Sequence, residues 1–172
     1  FENHMDNKGG HLVWDTKRLF TEIKNGLKVA FSQYESIESL AIDTWGVDYV
    51  LIKDGKSVLP CYAYRDSRTE SEIEEINSKI SFETFYMRTG IQFQPFNTVY
   101  QLYADKKEGR LKGVSTFLMM PEYFGYLLTG NMVKEYTDAT TTGLVNCKTK
   151  QFDIDLIQTL GLPLQMFPSL NM

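Results

Sequence analysis

The run from Ala41 to Ile52, AIDTWGVDYVLI, has the make-up of a buried β-strand and three residues that spoil one. Ala, Ile, Trp, Val, Tyr and Leu supply apolar bulk, while Asp43, Asp48 and Gly46 put two charges and a gap inside it. Carboxylates are seldom buried without partners, and glycine weakens a strand interior unless a bend or a close approach requires it. One reading makes the run a strand whose exit carries a site. An aspartate at a strand's carboxyl end is held where a cleft opens between loops, and Gly46 lets a ligand or another backbone come close. Alternation then puts Asp43 and Trp45 on one face and Thr44 on the other, until a bend at Gly46 ends that register. The other reading has Asp43 and Asp48 capping turns and Trp45 filling the core.

The surrounding pattern predicts an α/β domain. Trp14 to Tyr34, with Asp15 as N-cap, spaces Leu19, Phe20, Ile23, Leu27 and Ala30 as a helix does. Glu38–Trp45 and Val47–Ile52 are predicted strands, and Asp54-Gly55 a hairpin turn into Ser57–Leu59. Ile73, Ile76 and Ile80 mark a helix from Thr69, followed by a shorter one from Ser81 to Gly90. GIQFQPFNT is loop chemistry, and Thr98 with Gln101 predicts a capping box on a helix running toward Gly109. Leu118–Met120 is a predicted strand, Pro121 to Gly130 a bracketed helix, and Asp153 to Leu160 a last amphipathic stretch. Helices and strands alternating in this way point to a sheet covered by helices.

At 172 residues the chain suits one domain. Eighteen basic against 22 acidic residues give a net charge of −4 without a basic stripe, which argues against nucleic acid or an anionic membrane as partner. No apolar run reaches membrane-span length, and the expected location is the cytoplasm. Cys61 and Cys147 stand far apart, which suits idle thiols better than a disulfide framework, and His4 and His11 are too few and too near the start for a histidine metal centre or triad. Gly55-Lys56-Ser57 resembles the end of a phosphate-binding loop, but Val50 stands where its first glycine must be.

Two further clusters are candidates. YRDSRTE offers Arg65, Asp66 and Arg68 ahead of a helix; guanidinium forks suit hydroxyl pairs, carboxylates or phosphates, and an aspartate beside them accepts hydroxyl hydrogen bonds, as sugar recognition uses. The alternative is a salt-bridged helix start. TDATTTG, Thr137 to Gly143, gathers groups that bind hydroxyls and that also gather at turns, and YFGYLL is core or ligand platform. The first residue stands at what reads as a strand's close and the last follows shortly after a helix, so the chain reads as part of something longer.

In order and spacing, IDTWGVDYVL, AYRDSRTE, TGIQFQPFNTVYQL, LMMPEYFGYLLTG and EYTDATTTGLVN resemble the first domain of bacterial rhamnulokinases, a branch of the two-domain sugar kinases that include glycerol kinase and xylulokinase. The resemblance implies an actin-like, ribonuclease-H-like α/β fold, with residues 1–172 as a partial N-terminal, sugar-binding domain. It implies transfer of the γ-phosphoryl group of ATP to a ketose such as L-rhamnulose, with Mg²⁺, in a cleft closed by a second domain. Gly46, whose family counterpart lies against the ketose, joins Trp45, Asp43, Asp48, Arg65, Asp66 and Arg68 as substrate-binding candidates. The family's phosphate hairpin is expected ahead of Phe1 and its catalytic aspartate beyond Met172, so no catalytic residue is assigned here and ATP and Mg²⁺ are not expected to bind this chain tightly. Another sugar or polyol kinase of the superfamily, or a non-catalytic sugar-binding domain, is the alternative.

Overall fold

The computed structural model describes residues 1–172. Strands β1 (Asp6–Lys8) and β2 (His11–Trp14) form a hairpin, and helix α1 (Thr16–Gln33) follows, its N-cap Asp15 accepting from the Arg18 N–H as the sequence predicts. Strand β3 (Tyr49–Lys53) turns at Asp54-Gly55 into β4 (Lys56–Val58), and β5 (Cys61–Tyr62) returns to pair with β2. Positive φ at both Asp54 (51°) and Gly55 (72°) is what a tight two-residue hairpin requires. A short 3₁₀ turn over Ser67–Thr69 leads to α2 (Glu72–Lys79), α3 (Phe82–Thr89) and α4 (Thr98–Lys107). Strand β6 (Thr116–Met119) then feeds α5 (Met120–Thr129), α6 (Tyr136–Ala139), a β7 (Val145–Asn146) and β8 (Gln151–Phe152) hairpin, and α7 (Ile154–Thr159).

The central ladder is β4–β3–β6, antiparallel throughout. It divides two cores. Tyr49 and Leu51 of β3, with Phe117 and Met119 of β6, face a core completed by α2, α3, α4 and α7; Val50, Ile52 and Leu118 face a second one with Trp14, Leu19, Tyr123 and Phe124. A strand covered on both faces reads as unbroken apolar sequence, which explains YVLI. Each such side chain contributes about 1.5–3 kcal/mol by leaving water.

Two local expectations are corrected. Glu38–Trp45 joins no ladder, although its composition suits one, and Leu40 is 54% exposed. A strand is made by hydrogen-bonded neighbours rather than by propensity, and none flanks this segment. Nor does Thr98 with Gln101 make a capping box: the N-cap of α4 is Asn97, and both side chains reach across to the turn at Val47 that leads into β3.

Candidate functional site

Gly46 to Asp48 form a three-residue turn leading into β3, so the carboxylates expected at a strand's exit stand instead ahead of a strand's start. Asp48 donates its N–H to the Gly46 carbonyl (2.9 Å), and Val47 between them has φ of 65°. An i to i+2 hydrogen bond around a positive φ is the rare, strained form of the γ-turn, and a β-branched residue is the least suited to its centre. Gly46 is required by space. A Cβ there would lie 2.8 Å from Thr141 Cγ2 and 3.0 Å from its hydroxyl, so the turn and the TDATTTG segment touch at this point.

Asp48 is wholly buried and fully partnered. Its Oδ2 accepts from the indole N–H groups of Trp14 (2.6 Å) and Trp45 (2.9 Å) and from the Tyr64 amide (3.1 Å), while Oδ1 accepts from Gln101 Nε2 (3.1 Å). Burial pushes this carboxyl's pKa up, and the four donors restrain the rise. Trp45 is thereby turned inward, its ring 4.4 Å from that of Trp14.

Around Gly46 opens a polar hollow of about 330 Å³ lined by Asp43, Thr44, Glu135, Asp138 and Thr141 among others. Asp138 is its most perturbed group. Burial first, then the charges of Glu122 and Glu135, raise its pKa to about 7, and its Oδ2 is buried with no partner. The neutral acid is the better-tolerated form there. Between pH 3.8 and about 7 the folded chain therefore holds a proton that the unfolded chain has released, and stability falls as pH rises through that window. Melting at several pH values checks this: the advantage of Asp138→Asn over the parent is expected to grow from pH 4 to pH 7 and then level off. A constant difference would refute the assignment.

The arginine-bearing turn faces elsewhere. Both Asp66 oxygens are occupied, Oδ2 by the Leu12 N–H (2.6 Å) and Oδ1 by the Arg68 N–H (3.0 Å) and His11 Nδ1 (3.0 Å), which ties the 3₁₀ turn to β2. Arg68, its side chain 3% exposed, donates to Asp105 Oδ1 (2.8 Å) and to the Gln101 carbonyl (3.1 Å), and lies 4.0 Å above the Tyr62 ring. Arg110 and the Tyr49 hydroxyl complete the partners of Asp105. Arg65 alone is exposed, stacked on Tyr64 beside a second hollow of about 240 Å³ shared with Asp66, Pro95 and Phe96.

The seven sequence-selected residues thus do not share one hollow. Asp43 and Gly46 line the polar one, Arg65 and Asp66 line the second, and Trp45, Asp48 and Arg68 bind protein groups. The structure distributes them over a turn, two hollows and two buried networks. Arg68→Ala would remove one of the two guanidinium partners of buried Asp105, leaving Arg110 and the Tyr49 hydroxyl, and is expected to cost about 1.5–3 kcal/mol. Arg65→Ala should leave thermal unfolding within about 0.5 kcal/mol of the parent. Equal melting of the two variants would contradict this division.

The profile of the N-terminal domain of the FGGY carbohydrate kinases matches residues 1–172. The chain belongs to the FGGY family of carbohydrate kinases. Among relatives of this FGGY domain, the protein named rhamnulokinase in Halalkalibacterium halodurans is 46% identical over 175 residues, taking in 100% of this chain and 38% of its own length. That of Bacillus subtilis is 40% identical over 173 residues, taking in 99% and 35%. The chain spans somewhat over a third of the curated relatives it matches. Ligand-bound xylulose kinase from Lactobacillus acidophilus superposes with a TM-score of 0.88 at 19% identity over 100% of this chain and 36% of that one; Plasmodium falciparum glycerol kinase gives 0.76 at 18%, over 93% and 35%. These likenesses place the FGGY domain in the actin-like α/β fold class.

Thr98 and Gln101, which the sequence did not single out for a site, and Thr141, seen there only as a member of a hydroxyl cluster, meet at the Val47 turn. TDATTTG is visible as a hydroxyl cluster, but nothing local shows that it meets Gly46 across 94 residues of chain. The spacing of Thr98 and Gln101 suggests a cap and conceals their distant partner.

Proposed function

We propose that this domain forms the sugar-facing half of a cytoplasmic, ATP-dependent rhamnulokinase, with residues 1–172 as part of its N-terminal domain. The enzyme would transfer the γ-phosphoryl group of ATP to the 1-hydroxyl of L-rhamnulose, giving L-rhamnulose 1-phosphate and ADP, the hydroxyl proton passing to a carboxylate base. The observation that supports this reading is 40–46% identity, over essentially the whole chain, to proteins named rhamnulokinase.

Within it, Gly46 admits the sugar close to the backbone, while Asp43, Asp138 and Thr141 line a hollow suited to hydroxyl groups. Trp45, Asp48, Asp66 and Arg68 act through the framework, and Arg65 stands at the rim of the second hollow. Fixing a hydroxyl in line with a phosphorus accounts for much of the rate in such transfers, because little covalent chemistry is asked of the protein.

ATP and Mg²⁺ belong to the rest of the kinase in this reading. Gly55-Lys56-Ser57 is spent on the β3–β4 hairpin and forms no phosphate loop. Titrating the 172-residue chain with ATP is accordingly expected to give no saturable heat. The decisive assay is ADP release by the complete kinase that carries this domain. L-Rhamnulose-dependent ADP supports the proposal; turnover of another ketose or a polyol but not L-rhamnulose moves it within the family, and sugar binding without ADP release makes it a binding module.

A further inference from the structure

The least comfortable backbone in the chain lies beside Gly46, and three side chains from remote segments hold it there. Val47 at φ 65° lacks the local chemistry that makes such a turn easy. Its N–H donates to Thr141 Oγ1 (3.0 Å), which itself donates to the Asp138 carbonyl (2.8 Å). Its carbonyl accepts from Thr98 Oγ1 (2.7 Å) and, more weakly, from Gln101 Nε2 (3.3 Å). These partners lie 51, 54 and 94 residues away along the chain, on α4 and in the segment after α6. Gln101 also donates to Asp48 Oδ1 and to the Phe96 carbonyl, so one amide joins the turn, the buried carboxylate and the edge of the second hollow.

A strained residue persists only where its surroundings over-determine it, and such residues gather where a ligand must be met in one geometry. Each polar backbone atom of Val47 is bonded to a side chain rather than to a ladder, and the adjoining glycine opens on the polar hollow. We infer that Thr98, Gln101 and Thr141 are positioning residues that clamp Val47 in the γ-turn, so that the open backbone at Gly46 faces a sugar in the polar hollow in a fixed orientation. The inference rests on the sugar-kinase reading for its ligand and on geometry alone for the clamp.

The two parts are tested separately. On the 172-residue chain, Val47→Gly is expected to melt above Val47→Ala, the reverse of the usual order of these residues, because only glycine is at ease at positive φ. Thr141→Val, which keeps the shape and removes the acceptor, is expected to speed amide exchange at Val47 at least tenfold, with Thr141→Ser restoring protection. In the complete kinase, Thr141→Val and Val47→Gly are expected to raise the KM for L-rhamnulose about tenfold while the KM for ATP stays unchanged, and Thr141→Ser to restore the former. Unaltered exchange in Thr141→Val, or alanine outlasting glycine at Val47, would overturn the clamp. Faster exchange with an unmoved sugar KM would overturn its positioning role. Failure of the parent kinase to use L-rhamnulose would refute the proposed function and leave the clamp to be judged by melting and exchange.

Discussion

Gly46→Ala is expected to lower the melting temperature by about 5 °C and to impair sugar use in the complete kinase. The added methyl would sit 2.8 Å from Thr141 Cγ2, closer than carbon atoms pack, so either the turn or the TDATTTG segment must shift. Overpacking of this kind costs about 1–3 kcal/mol, and each kilocalorie is worth about 2–4 °C in a chain of this size. The φ of Gly46 is not in the left-handed region, so space alone carries the penalty. Thr141→Ser removes the nearest methyl and keeps the hydroxyl that Val47 uses, and it should recover part of the loss when combined with Gly46→Ala. Calorimetry of the parent, the two single variants and the double variant forms a cycle in which the coupling must be favourable. Additive effects would show that the contact is not the cause.

Asp48→Ala is expected to be more damaging. It would leave two indole N–H groups and one backbone amide facing the interior with no acceptor, while the Gln101 amide keeps the Val47 and Phe96 carbonyls. Each such orphan costs about 1–3 kcal/mol, reduced where the vacated space admits water, so a loss of about 4 kcal/mol and about 10 °C is expected. Asp48→Asn should lose less, since a single carbonyl oxygen can take over the three donors now on Oδ2. Denaturant melts of the three proteins check the order. If alanine and asparagine fall together, the negative charge matters more than the accepting geometry.

Much of the framework is legible in sequence because it is local. Asp15, Ser81 and Asp153 accept from backbone amides at the starts of their helices, Gly90 and Gly130 close theirs with positive φ, and Asp54-Gly55 turns a hairpin. These outcomes follow from the chemistry of a few adjacent residues. The site is less legible because it is assembled from afar. DTWGVD and YRDSRTE both stand out as polar residues in apolar company, yet sequence cannot tell a side chain that greets a ligand from one that satisfies the interior. Asp48 and Arg68 are bound to protein groups in the interior, while Asp138, a cluster member without individual distinction, has a buried, unpartnered oxygen in the polar hollow. Glu38–Trp45 fails for a related reason, since strand propensity says nothing about whether a neighbour is present.

The sharing of Asp48 by two indoles has an optical consequence. Trp14 and Trp45 are the only tryptophans of the chain, and both donate to one carboxylate oxygen within a few ångströms of Gly46. Intrinsic tryptophan emission of this chain therefore comes from a single spot behind the Gly46 turn. Ligand arrival, loosening of the turn or protonation of that carboxylate would each alter its colour or intensity, so the chain carries its own fluorophore for following what happens there.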